Sequence, residues 1–374
     1  MDPTLLSILI TLAKIFGFTF ALVLLLVAYS VYAERRVAAA MQDRVGPNRT
    51  GPFGLLQPIA DGLKFVLKED FTPGHVRKFY FWLAPALVMV PALITVAVIP
   101  FGSEVAVPWL EEPIKLVIAD INVGPLFIFA IASLSVYGIV LAGWSSNSKY
   151  PFLGGVRSSA QMISYEISMG LSLIPVLLIM GELNLNDIVR YQSENGWLLF
   201  PVLWNHEGFS TSLEAWALWV PAMIAFIIFT VSIFAETNRT PFDLPECETE
   251  LVAGYHTEYS SMKFALFFLG EYAAMIVGSG LIVTLFFGGW SLPFGWDQSI
   301  MEANGGASPW WLGLAHVGVF LAKVICFILF FIAIRWTVPR FRYDQLMKLG
   351  WVIFFELALV NIFIAAGIKM LFRN

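Results

Sequence analysis

The chain is poor in the residues that hold metals and cofactors. Its 374 residues include two cysteines, Cys247 and Cys326, and four histidines that show no metal-ligand spacing. An iron–sulfur cluster generally needs four ligands, so we expect no metal site and no cluster held by this chain alone. A catalytic triad, a phosphate-binding glycine loop and a basic patch for nucleic acid are also missing from the sequence. These absences argue against an enzyme that is complete in one chain and against a nucleic-acid partner.

Charge is scarce as well. Only 13% of the residues are charged, against about 25% in a typical soluble domain. Apolar residues make up 58% of the chain and the mean hydropathy is +0.77, which is more apolar surface than a soluble core needs. The composition therefore predicts an all-α, polytopic membrane protein. The first apolar run ends in Glu-Arg-Arg rather than at a small-residue cleavage site, so we interpret it as a retained span.

Eight stretches are long and apolar enough to cross a membrane, since a hydrocarbon core about 30 Å thick needs roughly 20 residues of helix. We predict one transmembrane domain over residues 1–374 with an additional amphipathic helix on the inner side. The predicted spans are 4–33, 79–100, 123–144, 160–182, 214–236, 262–288, 311–335 and 348–372.

The basic residues predict the orientation of these spans. Most of the lysines and arginines, 16 of 22, lie in or at the edges of four connecting segments. Because such residues stay on the inner side of a membrane, these segments should face the cytoplasm or, in an organelle, the matrix. They are residues 34–78, 145–159, 237–261 and 336–347.

The third inner segment is unusually acidic. Between Ala235 and Ser260 a single basic residue, Arg239, stands among six carboxylates: Glu236, Asp243, Glu246, Glu248, Glu250 and Glu258. One interpretation is a solvated loop, since acidic residues have little influence on membrane topology. The other is a carboxylate cluster whose mutual repulsion raises some pKa values and permits proton exchange near neutral pH.

Two further carboxylates, Glu166 and Glu271, lie inside the predicted fourth and sixth spans. An ionised group near the bilayer centre costs at least about 2.5–3.5 kcal/mol, so each should be neutral, paired or facing a wet cavity. A protonated carboxyl bonded between helices is one possibility, and a proton relay is the other. Lys323 in the seventh span is a candidate partner, because a buried lysine readily gives up its proton. Glu356 and Lys14, nearer span ends, are interpreted as structural.

The segment from Arg44 to Asp70 is too polar to enter lipid, yet it carries many large apolar residues. Ile59, Leu63 and Val66 have the spacing of one helical face, which predicts a short amphipathic helix along the membrane interface. Such a helix serves either as a lipid-facing anchor or as the floor of an entrance for a lipid-soluble ligand.

Four long motifs, one in each inner segment, give the chain a family resemblance. They are AERRVAAAMQDRVGPNRTGPFGLLQPIADGLK from Ala33, AGWSSNSKYPFLGGVRSSAQMISYE from Ala142, AETNRTPFDLPECETELVAGYHTEYS from Ala235 and PRFRYDQLM from Pro339. The chain resembles the H-subunit family of the proton-pumping NADH–quinone oxidoreductases, equivalent to NADH dehydrogenase subunit 1 of mitochondrial complex I.

The resemblance implies a membrane-arm component that forms much of a quinone-binding chamber, with quinone as substrate. Flavin (FMN) and iron–sulfur clusters would be held by peripheral-arm partner subunits, and the remaining contacts would be with neighbouring membrane-arm subunits and lipid. The expected location is a bacterial inner membrane or, alternatively, the mitochondrial inner membrane. The resemblance assigns the following residues to the quinone chamber: Glu34, Arg35, Arg36, Arg44, Asp61 and Lys64.

The resemblance also implies a row of carboxylates that links quinone chemistry to proton pumping. The carboxylates matched are Glu166, Glu236, Asp243, Glu246, Glu248, Glu250 and Glu271. We add Lys323 to this proton-coupling group, because it is the candidate partner of the carboxylates inside the spans. Two alternatives stay open. A related membrane component of a hydrogenase or ferredoxin-linked complex would share the fold, and a secondary transporter would also carry intramembrane charges but should show repeat symmetry.

Overall fold

The predicted spans are present as long helices in the computed structural model, which describes residues 3–106, 113–200, 203–205, 208–210, 213–244, 251–304 and 309–372. Within these ranges, eight helices are long and apolar enough to cross a membrane, which confirms the predicted fold class. In chain order the eight spans are Leu5–Met41, Lys78–Val98, Gly124–Ser145, Lys149–Met180, Leu213–Glu236, Ser261–Phe286, Trp310–Thr337 and Tyr343–Leu371.

Several spans change their helical geometry along their length. The first is α-helical over Pro3–Lys14, π-helical over Ile15–Val23 and α-helical again over Leu24–Met41. The eighth likewise has a π-helical stretch. It comprises Tyr343–Lys348, the π-helical Leu349–Phe354 and Phe355–Leu371. The second span is α-helical over Lys78–Thr95 and ends in a 3₁₀ turn at Val96–Val98. The third is divided into Gly124–Ala132 and Leu134–Ser145.

Three helices, the first, fourth and eighth, extend further into the inner segments than hydropathy indicates. The first continues to Met41 rather than ending near residue 33, and the fourth begins at Lys149 rather than near residue 160. Hydropathy marks where a helix leaves lipid, whereas the helix ends where its backbone hydrogen bonding stops. The fourth helix ends at Met180 and is capped by Gly181, whose φ of 77° is the left-handed conformation that glycine adopts most easily.

The connections contain short helices and hairpins. The amphipathic helix is present as Gln57–Leu67, and two further helices lie in the outer connections at Leu185–Asn195 and Trp296–Ala303. Strand Glu104–Val105 pairs antiparallel with Ile114–Lys115, and Leu203–Asn205 pairs antiparallel with Gly208–Ser210. Single 3₁₀ turns occupy Pro52–Gly54, Gly254–His256 and Pro293–Gly295.

The sixth span is the centre of the bundle. Within its most apolar stretch 72% of the residues are buried, against 11% for the first span and 22% for the eighth. Small residues let neighbouring helices approach it closely, as membrane bundles require. A Cβ added at Gly270, for example, would lie 2.9 Å from a Val88 methyl carbon and 3.3 Å from the Met89 backbone. Any charged side chain on this span is therefore enclosed by protein.

Gly154 is where the fourth span meets the inner segment 251–260. A Cβ added there would lie 2.8 Å from the backbone nitrogen of Tyr255 and 2.9 Å from Cα of Gly254, atoms that cannot rotate away. We expect Gly154→Ala to destabilise the protein by about 1–3 kcal/mol through overpacking. Thermal unfolding of the purified protein, in whatever complex it forms, measures this.

Gly170 provides the matched control, because it lies on the same helix and an added Cβ would meet nothing within 4 Å. Gly170→Ala should be neutral or stabilising by up to about 1 kcal/mol. Equal melting temperatures for the two variants would contradict the close approach.

Candidate functional site

Within the described residues, several buried and partly buried charges of the inner side meet around Arg239, in the turn after the fifth span. Its Nη1 lies 3.1 Å from Oε2 of Glu34, and its Nε lies 2.7 Å from Oε1 of Glu271. The guanidinium stacks 4.0 Å from the centre of the Tyr272 ring, and the Tyr272 hydroxyl donates a 2.6 Å hydrogen bond to Glu34. Arg335 pairs with the other oxygen of Glu34. We name these five residues the Arg239 cluster.

The fold assembles this cluster from four distant parts of the chain. Glu34 is in the part of the first helix that extends beyond the predicted span, and Arg335 is in the last turn of the seventh. Glu271 and Tyr272 lie well inside the sixth. The inner parts of the first and seventh helices, the interior of the sixth and one turn thus meet at a single point.

The cluster is balanced in charge, with two carboxylates and two guanidinium groups. Burial lowers the pKa of the Arg239 guanidinium, but Glu271, Tyr272 and Glu34 outweigh it, and the net shift is upward. Arg239 therefore carries its positive charge at every physiological pH. A buried arginine held by two carboxylates is satisfied, whereas the loss of any one member leaves an uncompensated charge.

A cavity of about 70 Å³ lies between the second to sixth spans, beside the Arg239 cluster. Its polar lining comes mainly from Glu236, Glu271, Thr237 and Asn238. One water needs about 10–15 Å³ of such space, so the cavity has room for several. A carboxylate at the depth of Glu271 is expected to be neutral, paired or facing a wet cavity. Glu271 meets two of these conditions, because it is paired with Arg239 and borders a cavity that water can occupy.

Gln161 of the fourth span holds the turn that carries Arg239. Its buried amide donates at 2.8 Å to the carbonyls of Ala235 and Phe242 and at 3.2 Å to the side-chain oxygen of Asn238. These bonds fix the chain on both sides of Arg239. The geometry of the Arg239 cluster therefore depends on a side chain that touches none of its charges.

Replacing Gln161 by leucine should test this dependence. The change keeps a similar volume but removes the donor, and each buried carbonyl left unpaired costs about 1–3 kcal/mol. We expect a lower melting temperature and a parallel loss of activity. Ser159→Ala, at a half-buried position on the same helix where the hydroxyl bonds only within its own turn, should change stability by no more than about 0.5 kcal/mol. A Gln161→Leu protein as stable as that control would rule out the positioning role.

The rest of the acidic segment is described in part. Asp243 is buried and its Oδ2 lies 2.9 Å from Nη2 of Arg340, while the Phe341 amide donates to the Pro241 carbonyl at 3.3 Å. The Pro339 motif thus packs on this segment. Glu246, Glu248 and Glu250 lie outside the described residues, so their assignment remains a prediction.

The residues assigned to a quinone chamber do not all come together. Arg35 forms a 2.7 Å ion pair with Asp61, which joins the first helix to the amphipathic helix. Arg36 lies 5.9 Å from the Tyr32 ring, and Arg44 bonds to the side chain of Gln42. Lys64 is exposed. Of the six, Glu34 alone belongs to the Arg239 cluster, and its neighbour Arg35 links that cluster to the amphipathic helix.

Among the described residues, the apolar face of that helix remains largely exposed. Ile59, Leu63 and Val66 are each more than half exposed. The far end of the helix is pinned, because the Ser261 hydroxyl lies 2.9 Å from the Phe65 carbonyl and 3.0 Å from that of Lys68. The helix is thus held at Asp61 and at its C-terminal end, while its apolar face is exposed and can meet lipid or a ligand.

The predicted pairing of Lys323 with an intramembrane carboxylate is not formed. Glu271 is taken by Arg239, and Glu166 is half-buried where its charge acts on Glu236. The Lys323 ammonium instead donates to three backbone carbonyls beyond the outer end of the sixth span. The reason is position along the helix: the seventh span runs inward, and Lys323 lies in its outer half.

Sequence reasoning missed three members of this site. In the sequence Arg335 is one of several basic residues near span ends, and nothing distinguishes Tyr272 and Gln161 from other span residues. Arg239 did carry a signal, as the single basic residue in an acidic segment. Within the described part of the chain, no group of three or more histidine, cysteine, aspartate or glutamate residues is arranged to hold a metal ion.

The helices and the Arg239 cluster together define a multi-pass membrane protein with titratable groups enclosed among its spans. Residues 14–366 match the family described as NADH dehydrogenase, and the chain belongs to that family. It is 49% identical to an NADH-quinone oxidoreductase H subunit (form 1) of Geobacter metallireducens, over 99% of this chain and 100% of that protein. It is 48% identical to the corresponding H subunit (form 2) of Geobacter sulfurreducens, over 99% of each, and 50% identical to that of Salinibacter ruber, over 91% of each.

Proposed function

We propose that this chain is the membrane-embedded H subunit of a bacterial NADH–quinone oxidoreductase, that it forms much of the quinone-binding chamber, and that its buried carboxylates couple quinone reduction to proton translocation. The observation that carries the proposal is the Arg239 cluster. It joins residues from two of the family motifs, at Glu34 and Arg239, to Glu271 in the central span. The near full-length similarity to proteins named as H subunits supports the same assignment.

The proposed quinone entrance lies at the amphipathic helix. A lipid-soluble quinone needs an apolar surface for its tail and polar groups for its head. The exposed Ile59, Leu63 and Val66 supply the first, and the neighbouring Arg35–Asp61 pair supplies the second. A photoreactive quinone should therefore label the segment 34–78 in the intact complex, and labelling confined to other segments would contradict this entrance.

The proposed coupling begins with charge. Reduction of a quinone consumes two electrons and two protons, so negative charge appears near the inner end of the first helix before protonation is complete. Glu34 shares Arg239 with Glu271, and a proton gained by Glu34 weakens its hold on the guanidinium. Arg239 then favours Glu271 more strongly. A change at the quinone side is in this way transmitted to a carboxylate that lines the cavity.

Glu236 continues the proposed route, because it borders the same cavity as Glu271 and is electrostatically coupled to Glu166. Water in a cavity of about 70 Å³ would carry protons between the two lining carboxylates. The route thus runs Glu34, Glu271, Glu236, Glu166. Lys323 and the three carboxylates of 246–250 remain candidate members on sequence grounds.

Electron delivery is assigned to partner subunits. FMN and iron–sulfur clusters in the peripheral arm would bring electrons from NADH, while this chain binds quinone and lipid and contacts neighbouring membrane-arm subunits. The low cysteine count agrees with that division. The proposed location is the bacterial inner membrane, with the Arg239 cluster toward the cytoplasm.

The first experiment is purification of the assembly through a tag on this chain in mild detergent. We expect a large complex that contains flavin and iron–sulfur clusters and reduces a soluble quinone analogue with NADH, sensitive to quinone-site inhibitors. Recovery of a hydrogenase or a ferredoxin-linked module would reject the quinone site but keep the family. If the chain purifies without partner subunits and transports a solute, the transporter alternative would be favoured.

A further inference from the structure

A second buried pair of titratable side chains lies at the outer ends of the helices, away from the Arg239 cluster. Asp297, in the first turn of the helix Trp296–Ala303, and His316, near the outer end of the seventh span, are 1% and 2% exposed. Oδ1 of Asp297 lies 2.8 Å from Nε2 of His316. The Trp290 ring packs 4.6 Å from the imidazole and shields it.

Both nitrogens of this imidazole are engaged. Nδ1 lies 2.7 Å from the hydroxyl oxygen of Ser103, which is half-buried in the connection after the second span. The other carboxylate oxygen of Asp297 accepts from the Leu292 amide at 2.8 Å and from the Ser193 hydroxyl at 3.3 Å. A continuous row of hydrogen bonds therefore runs from a buried carboxylate, through His316, to a group that borders the outer surface.

Lys323 lies directly inward of this row. It follows His316 by two helical turns on the same face, about 10.5 Å along the axis. Its ammonium donates at 2.8–2.9 Å to the carbonyls of Phe287, Gly289 and Ser291. Ser291 immediately precedes Leu292, whose amide holds Asp297. One short loop thus binds both the amine and the carboxylate.

The chemistry of Asp297 and His316 fits proton transfer better than a purely structural role. To join the loop to the helix, two side chains that cannot ionise would be enough, and they would avoid the desolvation penalty of burying ionisable groups. An imidazole bonded at both nitrogens can accept a proton at Nε2 and release one at Nδ1. The balance closes when the lost proton is replaced: Asp297 gives its proton to Nε2, Nδ1–H passes to Ser103 Oγ, and the Ser103 hydroxyl proton goes to water outside. The Lys323 ammonium, whose charge acts on Asp297, then gives a proton to the Asp297 carboxylate and becomes a neutral amine.

We propose that Asp297, His316 and Ser103 form a proton-release site that connects the surroundings of Lys323 with the solution on the outer side of the membrane. The inference rests on the proposed function, because a release site has a purpose only where protons cross. It adds an outer element to a route whose inner half is the Arg239 cluster and the cavity.

The test uses the intact complex reconstituted in liposomes, with protons translocated per NADH oxidised as the readout. His316→Gln, Asp297→Asn and Ser103→Ala should each lower that ratio to three-quarters of the parent value or less. Turnover in the presence of an uncoupler should stay within twofold of the parent, because none of the three residues touches the inner site. Glu104→Gln is the matched control: it breaks the exposed 3.0 Å pair with Arg190 next to Ser103 and should leave the ratio unchanged.

An unchanged ratio in all three variants, with reduced melting temperature in the first two, would overturn the proposal and leave a purely structural pair. Ser103→Ala guards against misfolding, since it leaves the Asp297–His316 pair in place.

A second readout needs no turnover: in a Ser103→Cys variant, a membrane-impermeant thiol reagent should react from the outer side only. Failure to react would remove the link to solution, whereas absence of NADH–quinone activity in the parent complex would reject the proposed function instead.

Discussion

Replacement of Arg239 by glutamine is expected to be among the most damaging single changes in this protein. The substitution leaves Glu34 and Glu271 buried without the cation they share, and removal of one partner from such a network typically costs about 3–5 kcal/mol. We expect the complex to melt at a much lower temperature and to lose quinone reductase activity. Thermal unfolding of the purified complex, monitored together with turnover, measures both effects.

Two further variants separate loss of charge balance from general damage. Adding Glu271→Gln to Arg239→Gln removes the stranded carboxylate and should recover part of the lost stability. Arg342→Gln breaks an ion pair with Asp344 in which both side chains are more than two-thirds exposed, and it should cost no more than about 1 kcal/mol. An Arg239→Gln complex that melts with the Arg342→Gln control would refute the buried network.

Replacement of Glu236 by glutamine should have the second large effect, but on activity rather than folding. Glutamine is close in shape to the carboxyl, yet it cannot take up or release a proton next to the cavity. If Glu236 lies on the route, coupled quinone reduction should fall at least tenfold, which is about 1.4 kcal/mol in barrier height. NADH–quinone turnover and protons translocated per NADH in liposomes are the measurements.

Glu236→Asp and Glu356→Gln complete this comparison. The aspartate keeps a titratable group and should recover part of the activity. Glu356 lies in the eighth span with its side chain exposed on the outside of the bundle, so its replacement should leave coupling unchanged. Normal coupling in both Glu236→Gln and Glu356→Gln would exclude Glu236 from the route.

The membrane architecture could be predicted from the sequence because its cause is local. A run of about 20 apolar residues must become a helix in lipid whatever its neighbours are, since its backbone groups have no other partners. The same local signal predicted the amphipathic helix Gln57–Leu67 from the spacing of Ile59, Leu63 and Val66. It did not show that the fourth helix begins at Lys149, because hydropathy reports the lipid boundary and not the end of the helix.

The candidate site could be predicted only in part, because its contacts are between distant segments. The depth of Glu271 in an apolar run indicated that it needs a partner, but nothing local selected Arg239 over Lys323. The choice is made by tertiary packing, which puts the turn after the fifth span beside the sixth and puts the Lys323 ammonium against carbonyls just beyond the outer end of the sixth. Side chains that position charges without being charged, such as Gln161, leave no signal in composition.

The order in which the chain is synthesised gives the Arg239 cluster a further consequence. Glu34 leaves the ribosome early, whereas its partners Arg239 and Arg335 follow 205 and 301 residues later. At about 5–20 residues per second, Glu34 waits roughly 15–60 s for its last partner. Until Arg239 is synthesised, Glu34 has no cation of the cluster beside it, and until Arg335 follows, two carboxylates share one guanidinium. A nascent chain that stalls before the seventh span therefore keeps one carboxylate of the cluster without a compensating cation.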